Sequence, residues 1–465
     1  MKQYITEIRA GNVDAEWLSC IRDGMKHAKN LLFHIYTGNS DKTALSQVMN
    51  QLMEAFPDCH IVGTESGGEI REGLLMECGI LLSAFLFETT AIRVDIIDGI
   101  AGNERNVGAE IRRRLDQLMK EDLKAAEILL PGAFLNTVEL YDELKRCDRS
   151  VVIFGGYAGN HDADLANAFV MADGVFYGNA VLVISYCGKD FFINAKKSAG
   201  WEKLGMPFRI TKAKGNLLEE IDGIPAAAVY KRYLNIDVDD DFVENTNEFP
   251  IAAYVGGEEL LRHTNQVNSD GSLLLAGSVT EGWEMYLTFG NTSGIIDEVN
   301  ARLKELWKFQ PQAILLYSCF VRKLFWEKFV NVELEPFEQI APTAGFNTFG
   351  EVLRNIRTGE IMEYNITLLS IAMREGEARE AEGPAPQADD SGLSGQSSLI
   401  KRLAKLISSS TMEIQNAYQN LEKANAKLTY IAEHDSLTGL YNRGRTEELI
   451  EKLKERTRKE LFPPC

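Results

Sequence analysis

Apolar runs of strand length alternate with helical patterns through the first half of the chain. The run at 31–38 precedes a stretch with apolar residues at helical spacing, and a second short apolar run follows at 59–63. A helical stripe at 107–118 then leads through the apolar run at 127–132 to a further run at 150–156. This rhythm of strand and helix patterns predicts an α/β layer.

The pattern changes toward paired strands after Gly156. Apolar runs at 174–186 and 191–195 are separated by the residues C-G-K-D, which predicts a hairpin and therefore a mixed sheet. A second part begins near Trp201, with a helix predicted around 217–234. No period of 20–50 residues repeats along the chain, so a solenoid or a propeller is not indicated.

These patterns predict an α/β fold with mixed, α+β sheets in a two-part body at 1–200 and 201–373. The segment 374–398 is rich in Glu, Ala, Gly, Ser and Pro and poor in apolar residues, which predicts a disordered linker. A long helix is expected at 399–432, and 433–465 is expected to begin a further α/β domain.

The long helix has a heptad pattern. Apolar or small residues alternate at spacings of three and four, at Ile400, Leu403, Ile407, Ser410, Ile414, Ala417, Leu421, Ala424, Leu428 and Ile431. This register predicts a parallel two-stranded coiled coil about 48 Å long, at about 1.5 Å per residue. The alternative is a helix that packs on its own domain.

Charge and composition limit the possible partners. The 465 residues include 68 acidic and 49 basic side chains, so the net charge of −19 disfavours nucleic acid and anionic membranes. The start lacks the apolar core of a secretory signal, and no apolar run approaches the ~18 residues that span a bilayer, so we expect a cytoplasmic protein. Seven cysteines without a C-x-x-C pair, and six histidines without metal-site spacing, predict neither disulfides nor a metal site.

Several stretches resemble the two-part FIST sensor family, and together they span about residues 25 to 375. They are VGTESGGEI (62–70), VIFGGYAGN (152–160), FRITKAKGNLLEEIDGIPAAAVYKRYL (208–234), DGSLLLAGSVTEGWEMYL (270–287), YSCFVRK (317–323), AGFNTFGEV (344–352) and YNITLL (364–369). The resemblance implies a FIST N part and a FIST C part that together sense small ligands inside the cell. Amino acids or their derivatives are the ligands that this resemblance implies, and a small carboxylate is a further expectation that depends on Arg322.

The first candidate ligand-binding residues lie in the glycine-containing stretches. Gly155 and Gly156 close a strand, where bare backbone N–H groups can approach a ligand, although a tight turn explains them equally. Ser66, Gly67 and Glu69 are candidates in the same sense, but Ser66 and Glu69 also have the spacing of a helix capping box. Neither glycine stretch ends in the G-K-[ST] of a phosphate-binding loop.

Further candidates follow the buried strand predicted at 313–319. Arg322 could clamp a carboxylate through two parallel hydrogen bonds, with Cys319 beside it; a salt-bridged Arg and a small buried Cys are the alternatives. On this hypothesis Arg322→Ala abolishes the thermal shift caused by an anionic ligand. Asn347, Glu351 and Asn365 lie in stretches that resemble the FIST C part and are candidates for the pocket or its frame.

Haem is an alternative ligand, because some members of the FIST family bind haem and respond to nitric oxide. One axial ligand is enough, and His34, His60, His161 and His263 all lie in the sensor part. The sequence does not choose among them. The absence of a Soret band after purification with haem supplied would remove this alternative.

The sequence AEHDSLTGLYNR (432–443) resembles the D-x-L-T-x-L-x-N-R opening of GGDEF domains, which make cyclic di-GMP. The matching residues are Asp435, Leu437, Thr438, Leu440, Asn442 and Arg443. In that family the opening follows a signalling helix, and the metal-binding carboxylates and the GGDEF loop come later. Only 22 residues follow Arg443, so we expect a truncated output domain without catalytic residues.

Together these observations predict a homodimeric sensor that binds a small molecule and is coupled by paired helices to a cyclic di-GMP output. The alternatives are a diguanylate cyclase, if a longer protein is meant, and a dominant-negative partner that forms mixed coiled coils.

We expect the purified chain to form no cyclic di-GMP from GTP and Mg²⁺, because the resemblance places the metal-binding carboxylates beyond residue 465. Chromatographic detection of the product checks this expectation. Cyclic di-GMP above the level of a heat-denatured control would contradict it.

Overall fold

The computed structural model describes residues 1–8, 11–38, 41–77, 79–132, 137–161, 165–378, 380–389 and 394–461. Two compact units are present, Met1–Lys401 and Arg402–Cys465. None of the helices in the described ranges is long and apolar enough to cross a membrane.

The first unit contains 26 strands among the described residues. They are β1 (Lys2–Ile8), β2 (Asn30–Thr37), β3 (His60–Glu65), β4 (Glu69–Arg71), β5 (Leu74–Met76), β6 (Ile80–Phe87), β7 (Ala91–Asp98), β8 (Leu123–Leu130), β9 (Val152–Tyr157), β10 (Val170–Ala172), β11 (Val175–Tyr177), β12 (Ala180–Cys187), β13 (Phe191–Ser198), β14 (Trp201–Lys214), β15 (Leu217–Ile221), β16 (Ile224–Pro225), β17 (Ile251–Val255), β18 (Glu258–Arg262), β19 (Thr264–Val267), β20 (Leu273–Leu275), β21 (Glu284–Gly290), β22 (Ala313–Cys319), β23 (Thr343–Thr348), β24 (Glu351–Arg354), β25 (Ile361–Tyr364) and β26 (Leu368–Glu375).

The α-helices are fewer. They are α1 (Ala15–Gly24), α2 (Lys42–Ala55), α3 (Glu104–Leu118), α4 (Thr137–Leu144), α5 (Ala226–Leu234), α6 (Phe242–Thr246), α7 (Thr292–Phe309), α8 (Phe320–Trp326), α9 (Val330–Glu338), α10 (Ser394–Glu433) and α11 (Arg443–Leu461). Short 3₁₀ turns occur at Met119–Glu121 and Glu327–Phe329.

Three six-stranded sheets share one topology. Their strand orders are β1-β6-β2-β3-β10-β11 in sheet one, β7-β12-β8-β9-β24-β25 in sheet two and β13-β26-β22-β23-β4-β5 in sheet three. In each sheet the third and fourth strands are parallel and every other pair is antiparallel. The chain therefore repeats one unit three times, with each unit longer than the 20–50 residues of a solenoid or propeller repeat.

Each repeat gives a two-stranded hairpin to another repeat. Hairpin β4–β5 of the first repeat pairs with β23 in sheet three, β10–β11 of the second pairs with β3 in sheet one, and β24–β25 of the third pairs with β9 in sheet two. The exchange is cyclic, so each sheet is completed by a different repeat.

The three sheets enclose a common apolar core. Their inner faces contribute to one cluster of buried side chains, such as Leu32 and Phe85 from sheet one, Leu182 from sheet two and Leu315 and Ile371 from sheet three. The outer face of sheet one packs on α1 and α2, that of sheet two on α3 and α4, and that of sheet three on α7 and α9. The amphipathic spacing of these helices is explained by this burial on one face.

A polar cluster lies inside the common core. Glu127 accepts hydrogen bonds from the hydroxyls of Tyr317 (2.5 Å) and Tyr186 (2.7 Å), and His34 Nε2 lies 3.5 Å from the same carboxylate. The Tyr36 hydroxyl contacts His34 Nδ1 at 2.8 Å. Burial lowers the pKa of His34, although Glu127 opposes this, and the imidazole is therefore favoured in its neutral form.

An insertion interrupts the third repeat between β13 and α7. Strands β14–β21 form an eight-stranded sheet with its own apolar core, to which α5 and α6 contribute. The predicted boundary between residues 200 and 201 falls where the chain enters this insertion. The helix predicted at 217–234 is wrong in its first part, because β15 pairs there with β14 and only Ala226–Leu234 is helical.

The predicted hairpin at 174–195 is also wrong. Strand β12 pairs with β7 and β8 in sheet two, whereas β13 pairs with β26 in sheet three. The C-G-K-D turn thus passes the chain from one sheet to the next, and the alternation of apolar residues could not distinguish this from a hairpin.

The predicted disordered linker at 374–398 differs from the structure. Arg374 and Glu375 belong to β26, and the following residues contact α7. Gly383 O accepts a hydrogen bond from the Trp307 indole at 3.2 Å, and Ala388 N donates to Asn300 Oδ1 at 2.9 Å. These backbone contacts order a segment whose composition alone indicates disorder. Residues 379 and 390–393 lie outside the described residues.

Three equivalent glycines allow the parallel strands to approach closely. A Cβ atom would lie 1.8 Å from Ile128 O at Gly155, 1.8 Å from Leu316 O at Gly345 and 2.4 Å from Ile35 O at Gly63. These oxygens belong to the backbone of a neighbouring strand. An added methyl group would therefore clash with them unless the two strands moved apart.

We expect Gly155→Ala to lower the free energy of unfolding by at least about 2 kcal/mol, because overpacking against a backbone oxygen cannot be relieved by a side-chain rotation. Urea denaturation of the full chain measures this. Gly178→Ala is the matched control, since nothing lies within 4 Å of a Cβ at Gly178. Equal midpoints for the two variants would contradict the explanation.

Candidate ligand-binding site

A cavity of about 340 Å³ lies at the carboxyl ends of the parallel strands β8 and β9. Ligands of α/β proteins commonly bind at this end of a sheet. Its lining comes from the second repeat, from the hairpin of the third repeat and from the insertion. The lining residues are Gly132, Thr137, Tyr157, Leu165, Gly215, Asn216, Asn265, Leu275, Ala276, Gly277, Ser278, Phe349 and Glu363.

One wall of the cavity is a hydrogen-bonded group around Glu363 of β25. Glu363 Oε2 accepts hydrogen bonds from Thr137 Oγ1 at 3.0 Å and from the Tyr157 hydroxyl at 3.4 Å. The Tyr141 and Tyr157 hydroxyls lie 2.5 Å apart. Burial, reinforced by the charge of Glu363, raises the pKa of both phenols well above the usual value, so both remain neutral.

The opposite wall is the insertion, which a buried arginine joins to the same hairpin. Arg262 donates from Nε to Ser278 O and from Nη1 to Leu261 O and Glu363 O. The guanidinium packs on Gly277, where φ is +88° and a Cβ would lie 2.8 Å from Arg262 Cζ. Burial lowers the pKa of Arg262, and the charge of Glu363 opposes this. Arg262 thereby fixes the insertion against the hairpin.

A second cavity, of about 660 Å³, lies between β13, α7 and the hairpin β24–β25. Charges of both signs line it, including Lys196, Lys197, Glu258 and Glu298. Several of them already pair inside the protein, because Lys196 contacts Glu305 at 2.7 Å and Lys197 contacts Glu258 at 3.5 Å. This more open and charge-compensated cavity is the weaker candidate.

Among the described residues, none of the ten ligand-binding candidates from the sequence lines the smaller cavity. Four of them meet near the hairpin of the first repeat. Ser66 Oγ donates to Glu69 Oε1 at 2.7 Å, and Gly67 N donates to Asn347 O at 3.0 Å. Ser66 and Glu69 thus contact each other through their side chains at the start of a strand, whereas a capping box joins each side chain to a backbone N–H; the Ser66 amide instead donates to Thr37 O.

The predicted glycine pair serves packing between strands. The close approach at Gly155 is described above, and Gly156 faces Thr348, whose Oγ1 would lie 2.7 Å from a Cβ at this position. Thr348 Oγ1 accepts a hydrogen bond from Tyr157 N at 2.9 Å. Gly156 therefore holds β9 against the third repeat and positions Tyr157 of the cavity wall.

Arg322 is fully buried and its hydrogen-bond donors are directed at protein groups. Nε lies 2.9 Å from both carboxylate oxygens of Glu333, and Nη1 donates to Ala199 O and Ile366 O at 2.8 and 2.9 Å. Glu333 also accepts from the Trp326 indole at 2.6 Å. These contacts favour a stabilising role over the predicted ligand clamp.

The remaining candidates lie near Arg322 in the third repeat. Glu351 Oε2 accepts from Thr367 Oγ1 at 2.7 Å, and burial raises the pKa of Glu351 well above its usual value. Burial, reinforced by the charge of Glu351, raises the pKa of the Cys319 thiol, so the thiolate is disfavoured. Asn365 Nδ2 donates to Ala276 O at 3.1 Å, which places Asn365 directly behind the cavity lining.

Eight of the thirteen described lining residues were missed although they lie in the stretches that carry the family resemblance, whereas Glu363 lies just before the stretch 364–369. Tyr157 is in 152–160, Phe349 is in 344–352, and Leu275 to Ser278 are in 270–287. Only the cyclic exchange of hairpins brings these distant segments together, and no spacing in the sequence reveals that exchange.

Haem does not fit the described residues of this cavity. Its described lining contains no histidine and no cysteine, and Tyr157 already shares its hydroxyl with Tyr141 and Glu363. His34 is enclosed in the central core, with its Nδ1 in contact with Tyr36. His263 is buried, and burial lowers its pKa to about 4.

In the second unit, the polar residues of the predicted output motif build a compact turn between α10 and α11. Asp435 Oδ1 accepts from Leu437 N, Thr438 N and Thr438 Oγ1 at 2.9–3.2 Å. Asn442 Oδ1 accepts from the amide of Arg445 in the first turn of α11 at 3.0 Å, and Arg443 contacts Glu447 at 2.8 Å. The apolar residues of the motif remain exposed: Leu437 is 94% and Leu440 is 71% exposed.

Comparisons with known proteins agree with the family resemblance. Residues 31–224 match the FIST N domain, and residues 226–354 match the FIST C domain. No match was found among curated proteins. Among solved structures, chorismatase is similar with 10% sequence identity and a TM-score of 0.30, over 80% of this chain and 98% of the chorismatase chain.

The chain carries a FIST N domain and a FIST C domain, and these domains indicate a small-ligand sensing module of signal transduction.

Replacement of Arg322 by Ala is expected to cost about 3–5 kcal/mol of folding stability, because Glu333 remains buried without its partner. The urea midpoint of the full chain measures the change. Arg93→Ala removes an exposed pair with Glu121 and serves as control, with little change expected. A stable Arg322→Ala protein that has lost only ligand binding would instead support the clamp hypothesis.

Glu69 is expected to make folding stability pH-dependent. Burial raises the pKa of Glu69 from 4.5 to about 7, against hydrogen bonds from Ser66 and Gly79. The folded state therefore keeps a proton that the unfolded state releases, so the stabilisation is complete at low pH and is lost as the pH rises through about 7. The loss is at most about 3 kcal/mol, at about 1.4 kcal/mol per pKa unit.

The measurement compares the wild type with Glu69→Gln from pH 5 to pH 8, with exposed Glu54→Gln as control. The stability of the wild type relative to Glu69→Gln should fall over this range, whereas its stability relative to Glu54→Gln should stay nearly constant. If the difference in unfolding free energy between the wild type and Glu69→Gln stayed constant from pH 5 to pH 8, Glu69 would be ionised in the folded protein over that whole range.

Proposed function

We propose that the protein senses a small molecule bound in the cavity between sheet two, the hairpin β24–β25 and the insertion. The observation that carries the proposal is the origin of the lining, which comes from three parts of the fold distant in sequence. A ligand there contacts Tyr157 of β9, Glu363 of the hairpin and Leu275 of the insertion at once. Its binding free energy therefore depends on how these parts are arranged.

This dependence is what a sensor requires. A ligand shifts a conformational equilibrium only when its affinities for the two states differ. Arg262 joins the insertion to the hairpin because it donates hydrogen bonds to backbone carbonyls of both. A displacement of the insertion is therefore expected to move β25 as well. The hairpin in turn belongs to the third repeat, whose last strand, β26, precedes the segment that contacts α7. This provides a continuous path from the cavity to residues 380–389.

We further propose that α10 forms a parallel coiled coil with a second copy of the chain and transmits the ligand state to a GGDEF output domain. Apolar heptad positions of this 40-residue helix are exposed within its own chain: Leu403, Ile407, Ile414, Leu421, Leu428 and Ile431 are 45–62% exposed. The side chain of Ile400 lies outside the described part. An exposed apolar stripe at heptad spacing is stabilised by a partner helix. The Asp435 to Arg443 motif supports the proposed output.

Filling the cavity should remove ligand binding. We expect a thermal-shift screen of amino acids, small carboxylates and amines to yield a compound that stabilises the wild type, since a ligand of the folded state raises the melting temperature. Ala276→Trp, which occupies the smaller cavity, should lose this shift. Ala301→Trp places the same side chain in the larger cavity and should retain it.

A shift that survives in Ala276→Trp but disappears in Ala301→Trp would assign the ligand to the other cavity. No stabilising compound in a broad screen would leave the sensor proposal without a ligand and count against it.

The proposed dimer depends on the heptad stripe. Ile414→Glu combined with Leu421→Glu should convert a dimer into a monomer, because paired carboxylates at the a positions repel each other across the interface. Light scattering coupled to size exclusion measures the mass. Met412→Glu alters an equally exposed apolar residue off the stripe and should remain dimeric. A wild type that is monomeric at micromolar concentration would contradict the proposal.

A further inference from the structure

The smaller cavity has an unusual charge balance for a site in which a small carboxylate is expected. Among its described lining residues, Glu363 is the only one with a charged side chain. The other polar groups are hydroxyls and amides, from Thr137, Tyr157 and Ser278 and from two asparagines. An anionic ligand would therefore meet a carboxylate of its own sign and no lining cation.

The contacts of Glu363 leave one of its oxygens for a ligand. Both described hydrogen bonds, from Thr137 and Tyr157, fall on Oε2. Within the described part of the chain, no basic side chain forms an ion pair with this carboxylate. A carboxylate in a confined site gains most from a charged donor, because the electrostatic interaction is stronger there than in water.

Arg262 is a buried cation of this wall, and its described hydrogen bonds go to main-chain carbonyls and not to the Glu363 carboxylate. Its guanidinium donates to three main-chain carbonyls, of Leu261, Ser278 and Glu363. It fixes the backbone of the wall and is not part of the cavity lining. Its charge moderates that of Glu363 at a distance, but it offers no direct ion pair that a ligand cation would have to displace.

Two further features favour a cation. The rings of Tyr157 and Phe349 line the cavity; one face of the Phe349 ring is stacked on Phe320, and an aromatic wall suits an ammonium group better than a carboxylate. The net charge of −19 over the chain attracts cations and repels anions at long range. The volume of about 340 Å³ is near the lower end of the range of small-molecule sites, about 300–1,000 Å³.

From these observations we infer that the ligand of this cavity is a small organic cation whose primary ammonium group pairs with Glu363. A primary ammonium has three donors. One contacts the free Oε1, and the hydroxyl oxygens beside Glu363 can accept the others. This inference rests on the proposed ligand-sensing function of the same cavity and differs from the small carboxylate expected from the sequence.

The test uses two sets of matched compounds. Within each set the compounds differ at one end, which carries an ammonium, a hydroxyl or a carboxylate group. One set is 4-amino-1-butanol, 1,4-butanediol and 4-hydroxybutyrate, and the other is phenethylamine, 2-phenylethanol and phenylacetate. Each is titrated into the full chain, and the Kd is obtained from thermal shifts. The amine of at least one set should bind at least tenfold more tightly than its neutral and anionic counterparts.

Two variants test whether the preference for amines depends on the Glu363 carboxylate. Glu363→Gln keeps an acceptor for Thr137 but removes the charge, and should weaken amine binding at least tenfold. Glu360→Gln changes a carboxylate three residues away that lies 3.7 Å from Lys145, and should change amine binding less than twofold. If Glu363→Gln does not fold, wild-type amine binding at 50 and 500 mM NaCl replaces it, and the Kd should rise with salt.

The outcomes separate the two proposals. Tighter binding of the neutral or anionic compound, or amine binding that neither Glu363→Gln nor salt weakens, overturns the cation inference and leaves the sensing cavity in place. If no compound of these sets or of the wider screen produces a shift that Ala276→Trp removes, the sensing function of the cavity itself is overturned.

Discussion

The cyclic exchange of hairpins is the constraint on which the rest of the sensor unit depends. Each repeat has a four-stranded sheet whose outer parallel strand would be left as an open edge, and open edges are prone to unwanted pairing. Another repeat covers that edge with a hairpin, as β24–β25 does at β9. No sheet is complete within its own segment of the chain, so the three sheets must form together around their shared core.

The three repeats share this exchange but differ in sequence and in what is inserted into them. The central positions of β2, β8 and β22 are occupied by His34, Glu127 and Leu315, so the repeats differ where their sheets meet. In the described part of the chain, an inserted sheet interrupts the third repeat, and residues of that insertion line the cavity at the carboxyl ends of β8 and β9. The insertion thereby adds a wall to the cavity at the carboxyl ends of β8 and β9.

Local patterns in the sequence gave correct information about elements and much less about their assembly. The apolar stripe at 107–118 became α3, and the runs at 31–38 and 313–319 became β2 and β22, because burial of one face imposes a local period. The C-G-K-D segment at 187–190 was wrongly predicted to close a hairpin, because a turn that connects two sheets has the same composition as a turn within a hairpin. Gly63, Gly155 and Gly345 mark the repeat, but they are separated by segments of unequal length, because the inserted sheet lies between Gly155 and Gly345.

The candidate site was predictable only in outline. The family resemblance indicated several stretches that line the cavity. The charged and reactive side chains selected within them, such as Arg322 and Cys319, are instead buried among protein groups. Glu363, which faces the cavity, has no distinctive neighbour in sequence. Its role depends on a strand pairing with β24 and on an insertion about 90 residues earlier in the chain, and neither is encoded in a local motif.

Hydrogen–deuterium exchange of the full chain, with and without the most stabilising compound of the screen, tests the central claim most directly. A ligand between sheet two, the hairpin and the insertion should slow exchange together at Tyr157, at Leu275–Ser278 and at Ile361–Tyr364. Protection confined to Asn194–Ala199 and the facing surface of α7, with none at these three segments, would contradict the account.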